Sequence, residues 1–134
     1  MLLLDTNALI ILLFGDVANS SLSSESMKSL EESDELYVSD ISFWEMAIKI
    51  RINKLDINKP LNWIVDQCRM NGIKPIPVTV EQFAGTMELP FFKDHADPFD
   101  RLIISVAKMN NLTLVSTDEK MKMHKDEYGV SVIW

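Results

Sequence analysis

Met1-Leu2-Leu3-Leu4-Asp5-Thr6-Asn7 opens the chain. Its apolar run stops abruptly at a carboxylate. A segment that is apolar at every position, with no alternation, suits a strand buried on both faces, which is the habit of parallel sheets. Residues 8–14 are apolar enough to form a helix, so Asp5 falls at a strand-to-helix turn. In open α/β sheets, ligands bind at the carboxyl ends of strands, where such turns lie. Read alone, Asp5 is also a good helix cap. A second apolar run, Leu112-Thr113-Leu114-Val115, ends the same way, at Ser116-Thr117-Asp118.

Working outward, short strands are expected at 35–39, 73–78 and 130–133. Helices are expected at 24–33, 40–52, 60–70, 79–87, 98–110 and 119–125. Residues 15–24 read as a loop, 53–59 as a polar linker and 89–94 as a loop with exposed aromatics. Pro75 and Pro77 remove two backbone donors, which makes 73–78 an irregular or edge strand. The helix at 40–52 carries Ile41, Phe43, Trp44, Met46, Ala47, Ile48, Ile50 and Ile52. That is too many for one amphipathic face, so this helix is expected to be mostly buried. The last strand should end on a packed Trp134, with Met109, Met121 and Met123 filling gaps in packing. The β-α-β-α order predicts an α/β fold, a mostly parallel sheet with helices on both faces. With 134 residues and no internal repeat, residues 1–134 are read as one domain.

Composition narrows the function. The chain holds 20 acids against 13 lysines and arginines, a net charge of -7. This argues against a general nucleic-acid coat, which needs local positive charge. An enzyme gripping nucleic acid through a small basic rim and metal ions stays compatible. The lone Cys68 cannot form an internal disulfide, so a reducing cytoplasm is expected. The amino-terminal run lacks a basic n-region and does not read as a signal peptide.

His95-Ala96-Asp97-Pro98-Phe99-Asp100-Arg101 is a helix start. Asp97 suits the N-cap and Pro98 the first helical position. Asp100, however, shares its helix side with Ile103, Ile104 and Ala107, where an unpaired carboxylate is expensive. A metal ion or a basic partner would resolve the conflict. Glu45 poses the same problem beside Ile41, Ile48 and Ile52; it should be paired, protonated or metal-bound. Lys49 at i+4 is the simple partner. Asp5, Glu45, Asp100 and Asp118 come from four separated places and would repel strongly in one crevice unless cations bound there. An oxygen-rich set without clustered Cys or His suits Mg²⁺ or Mn²⁺ rather than Zn²⁺. Neither a phosphate-binding glycine loop nor a nucleophile elbow occurs.

Leu2-Leu3-Leu4-Asp5-Thr6-Asn7, Ser39-Asp40-Ile41-Ser42-Phe43-Trp44-Glu45, His95-Ala96-Asp97-Pro98-Phe99-Asp100-Arg101 and Val115-Ser116-Thr117-Asp118 together resemble a PIN domain. The likeness extends over nearly the whole chain and is nearest to the VapC-like toxin ribonucleases of toxin–antitoxin pairs. It implies a three-layer α/β/α sandwich around a mostly parallel central sheet. It also implies a Mg²⁺- or Mn²⁺-dependent endoribonuclease that leaves 5′-phosphate and 3′-hydroxyl ends. By this resemblance Asp5, Glu45, Asp100 and Asp118 hold the metal. Asp97 assists, directly or by holding the helix start. Thr6, Ser42 and Thr117 orient the acids, and Asn7 lines the cleft.

Two departures stand out. The related branch often has histidine where this chain has Asn7. Asn53 stands where a glycine is more usual, a change a left-handed asparagine can absorb. Arg101, Lys49, Arg51 and Lys93 are candidate phosphate contacts, with Lys120, Lys122 and Lys125 extending the track. His95 is expected to be a loop hydrogen-bonder rather than an acid–base group. The resemblance further implies a homodimer and an antitoxin that covers the cleft, with Leu89-Pro90-Phe91-Phe92 as an apolar docking element. Two rivals remain: a nuclease-inactive binding or regulatory protein of this fold, and a metal-dependent phosphatase acting on small substrates.

Overall fold

The computed structural model describes residues 1–15 and 21–134. The chain runs β1 (Leu2–Leu4), α1 (Thr6–Phe14), α2 (Ser24–Glu32), β2 (Leu36–Ser39), α3 (Asp40–Arg51), α4 (Leu61–Met70) and β3 (Ile73–Ile76). It continues through α5 (Val80–Thr86), a 3-10 turn (Lys93–His95), α6 (Pro98–Met109), β4 (Thr113–Val115), α7 (Glu119–Tyr128) and β5 (Val132–Ile133). Residues 16–20, half of the loop expected at 15–24, lie outside the described residues. Among those described, no helix is long and apolar enough to cross a membrane.

The five strands lie in the order β3-β2-β1-β4-β5, and every pairing is parallel. The run that opens the chain is therefore the central strand. Leu3 and Leu4 are fully buried and Leu2 nearly so. Successive side chains leave a strand on opposite faces: Leu2 and Leu4 enter a core shared with α1, α2, α3 and α4, and Leu3 enters one shared with α6 and α7. Burying each such leucine stabilises the fold by roughly 1.5–3 kcal/mol. Helices thus cover both faces, giving the three-layer sandwich. β3 is an edge strand, as Pro75 and Pro77 required.

Local signals explain the boundaries. Thr79 and Gln82 close a reciprocal capping box at the start of α5. Gly129 takes φ 71° to end α7, and Asn53 takes φ 60°, the left-handed turn expected of it. Two expectations fail. α3 is not mostly buried: Phe43 and Met46 face inward, but Trp44 is 60% exposed and Ile48 and Ile52 are also exposed. Trp44 instead meets Phe99 of α6 edge-on at 5.4 Å. The domain is too small to place helices on every side of α3, so part of its apolar surface faces out. Of the three methionines assigned to packing, Met121 is buried, whereas Met109 and Met123 are exposed.

Candidate functional site

β1 and β4 are neighbours, but the chain leaves them toward opposite edges of the sheet. Their carboxyl ends form the switch point at which open α/β sheets bind ligands. Register pairs Leu4 with Val115, so Asp5 and Ser116 emerge side by side, and Asp5 N–H donates to the Val115 carbonyl at 3.0 Å. A cavity of about 220 Å³ opens there, lined by Asp5, Thr6, Asn7, Glu45, Lys49, Asp97, Asp100 and Asp118. All four acids singled out from the sequence line it, together with Asp97, Thr6 and Asn7.

Helix capping and site building turn out to be one job. Asp5 accepts from Ala8 N–H at 2.8 Å as the cap of α1. Asp97 accepts from Phe99 N–H at 2.8 Å and Asp100 N–H at 3.2 Å as the cap of α6. Asp118 Oδ1 accepts from Lys120 N–H at 2.9 Å as the cap of α7. Three helix amino termini therefore converge on the cavity and favour negative charge there. A carboxylate has a second oxygen, and that of Asp118 is turned toward His95.

Glu45 is held from α1: Thr6 Oγ1 donates to Glu45 Oε1 at 2.6 Å and is hydrogen-bonded to the buried Ser42 hydroxyl at 2.9 Å. Its other oxygen meets Lys49 Nζ at 3.2 Å, the i+4 partner foreseen in the sequence. One lysine against five carboxylates leaves the described lining strongly negative.

Electrostatic strain follows. Burial first, then repulsion from Asp97, Asp118, Asp5 and Glu45, pushes the Asp100 carboxyl up from 3.8 to about 8. Asp5 is only 4% exposed. Burial raises its carboxyl to about 6, against hydrogen bonds from Ser116 and from Ala8 N–H. This donor set is all oxygen, and Cys68 is buried in the core well away from it. The pocket thus fits a hard divalent ion such as Mg²⁺ or Mn²⁺, which would remove the repulsion.

Other expected contacts go elsewhere. The guanidinium of Arg101 donates to the carbonyls of Pro90 and Thr86 at 2.9 Å and of Leu89 at 3.3 Å, tying α6 to the end of α5. It does not line the cavity; its fork of five donors is engaged by three backbone carbonyls nearer by. Arg51 and Lys93 are exposed and outside the lining. Lys120 pairs with Asp94 at 3.3 Å. Thr117 does not line the cavity either. Its neighbour Ser116 bonds Asp5 and also accepts from Asp118 N–H at 3.0 Å. Nothing in the sequence ranked one hydroxyl above the next; the register of β4 chose. Of the loop at 89–92, only Phe91 is freely exposed. Leu89 is buried and Phe92 stacks on His124 at 3.8 Å. His95 is far from an ordinary loop residue. It is 4% exposed, with Nε2 between Asp100 Oδ2 at 3.2 Å and Asp118 Oδ2 at 3.4 Å.

An all-parallel sheet with carboxylates gathered at its switch point defines the class: α/β proteins with an acidic pocket at the strand ends. Residues 2–126 match the PIN domain family, and the chain belongs to it. It is VapC-like, 29% identical over 112 residues to Ribonuclease VapC22 of Mycobacterium tuberculosis, across 83% of this chain and 84% of that protein. Solved structures share the fold at lower identity. A FitAB complex bound to an IR36 DNA fragment matches with a TM-score of 0.60 and 22% identity, covering 99% of this chain and 94% of that one. FitAcB from Neisseria gonorrhoeae gives 0.57 and 20%, and a toxin–antitoxin complex from Klebsiella pneumoniae gives 0.59 and 20%. Each of these two covers 100% of this chain and 97% of the other.

Proposed function

We propose that this chain is a metal-dependent endoribonuclease and the toxin of a type II toxin–antitoxin pair, acting in the cytoplasm through a single domain. The observation that carries the reading is the convergence of Asp5, Glu45, Asp100 and Asp118 on one cavity at the switch point. PIN membership and the likeness to a VapC ribonuclease support it. In this reading those four acids hold Mg²⁺ or Mn²⁺, with Asp97 assisting beside Asp100. What the ion supplies when bound is stabilisation of charge at phosphorus and an activated water. Thr6 and Ser116 keep Glu45 and Asp5 aimed inward, and Asn7 is exposed at the rim, where a strand of RNA passes. Lys49, which lines the cavity, would be the cation available to a phosphate there, its ammonium released if Glu45 held the ion. In-line hydrolysis leaves 5′-phosphate and 3′-hydroxyl ends.

The toxin–antitoxin assemblies among the structural neighbours support an antitoxin partner, for which the acidic cavity offers a site for an inserted Arg or Lys. The apolar strip of Trp44, Ile48, Phe83 and Phe99 offers area for a second copy in a homodimer. The test is cleavage mapping of total RNA with Mg²⁺ or Mn²⁺, beside the same protein in EDTA and beside Asp100→Asn. Metal-dependent cuts bearing 5′-phosphates, absent from the variant, are expected. A folded wild type that binds RNA without cutting it would make the chain a binding protein. Preference for small phosphate esters, unaffected by single-stranded oligonucleotides, would make it a phosphatase.

A further inference from the structure

His95 and Tyr128 are left over from this account. Neither lines the cavity, yet His95 touches two of its acids. Among the described residues its Nε2 meets two carboxylate oxygens, Asp100 Oδ2 at 3.2 Å on α6 and Asp118 Oδ2 at 3.4 Å at the cap of α7. With both carboxylates ionised, as they must be to hold a cation, the nitrogen between them carries the proton. The opposite nitrogen, Nδ1, lies 2.8 Å from the hydroxyl of Tyr128, which is fully buried. With the imidazole hydrogen on Nε2, Nδ1 accepts from that hydroxyl, which also lies 3.5 Å from the His95 carbonyl. Phe92 packs edge-on against Tyr128 at 5.5 Å and closes the stack from behind.

Resting on the metal-site reading above, we infer that Tyr128 and His95 form a relay that positions the Asp100 and Asp118 carboxylates for the ion, without His95 ligating it. The need for such a device is geometric. Asp100 and Asp118 come from different helices, and a ring nitrogen of His95 and one carboxylate oxygen each of Asp100 and Asp118 all lie within 4.8 Å of one another. Unconstrained, the two carboxylates would swing apart to lower their repulsion. A shared N–H holds one oxygen of each toward the other and leaves the remaining lone pairs for the cation. Outer partners of this kind tune metal affinity by ordering the ligands before the ion arrives. Tyr128 sits ten residues past Asp118, at the end of the helix that Asp118 caps, so α7 supplies both an acid and the group that aims its holder.

The experiment is a Mn²⁺ titration of the full chain by calorimetry, with circular dichroism to confirm folding. The expected loss for His95→Leu is about 10–100-fold in Mn²⁺ affinity. His95→Gln keeps an N–H donor near the Nε2 position and should recover most of that loss. Tyr128→Phe keeps the ring and its packing, removes only the hydroxyl, and should weaken Mn²⁺ several-fold. It also guards against a His95 variant that fails to fold. Pulsed EPR of bound Mn²⁺ should show no directly coordinated imidazole nitrogen. Wild-type affinity in His95→Gln and Tyr128→Phe together with His95→Leu overturns the relay while leaving the nuclease reading intact. A strong directly bound ¹⁴N signal overturns it in favour of His95 as a ligand. A wild type that binds no Mn²⁺ overturns both.

Discussion

Removing the carboxylate charge at position 100 should stabilise the metal-free protein while destroying its capacity for metal. The Asp100 carboxyl is pushed up from 3.8 to about 8 by burial and by the four neighbouring acids. A raised acid favours the folded state below its unfolded pKa, and that advantage is lost as pH climbs to the folded value. The window is therefore about pH 4 to 8. Across it, at about 1.36 kcal/mol per pH unit, the full difference amounts to about 6 kcal/mol. The repulsion is shared, and a neighbour that takes up a proton relieves part of it. The side chain is also about a quarter exposed, so solvent screens some of the rest. A gain of about 2–3 kcal/mol for Asp100→Asn at pH 8 is expected. Asparagine keeps the shape and an acceptor for His95, so packing should not confuse the comparison. For a domain of this length the gain corresponds to roughly 6–12 °C in Tm. The assay is thermal unfolding in EDTA at pH 4.5 and pH 8, repeated with Mn²⁺. The variant should be much more stable than wild type at pH 8, nearly equal at pH 4.5, and indifferent to Mn²⁺, whereas wild type should recover with the metal. A variant that is no more stable at pH 8, or equally more stable at both pH values, would refute the argument that burial and mutual repulsion of carboxylates strain the pocket.

Ser116→Ala removes a hydrogen bond that lowers the Asp5 carboxyl, so that carboxyl rises further above about 6. The pH at which Mn²⁺ half-activates cleavage should move upward by about one unit, read from a pH profile at fixed Mn²⁺. Thr6→Val keeps the branched shape but strips Glu45 of its 2.6 Å donor. Stability should fall by about 1–3 kcal/mol with an unchanged denaturant slope, and cleavage should fall while RNA binding persists. Arg101→Lys cannot satisfy the three carbonyls that the guanidinium fork holds. It should lower stability by about 2 kcal/mol and leave single-stranded RNA affinity unchanged, measured by denaturation and fluorescence anisotropy; a selective loss of RNA affinity would restore Arg101 as a phosphate contact.

Much of this protein could be read from its residues one segment at a time. The unbroken leucines of β1, and Pro75 in β3 with Pro77 just after it, carry the places of these strands in the sheet in their own chemistry, central for one and edge for the other. Asp5, Asp97, Asp100 and Asp118 each sit at a helix start or on an apolar face, where a local rule makes a carboxylate conspicuous. Glu45 was equally visible among isoleucines. What local rules could not supply was who meets whom. Ser116 rather than Thr117 serves Asp5 because β4 pairs with β1 in one register, and register is a property of two strands. Arg101 turns to carbonyls at the end of α5 and in the loop after it because the packing of α5 on α6 leaves them within its reach. The outward face of α3 reflects how few helices this sheet can support. His95 and Tyr128 are 33 residues apart, with no periodicity linking them. Only the folding of α7 back across the 3-10 turn puts a hydroxyl behind the imidazole and two carboxylates in front of it. Backbone preference and hydrophobic pattern act over a few residues and so are written in the chain; hydrogen bonds between distant side chains exist only after the layers have packed.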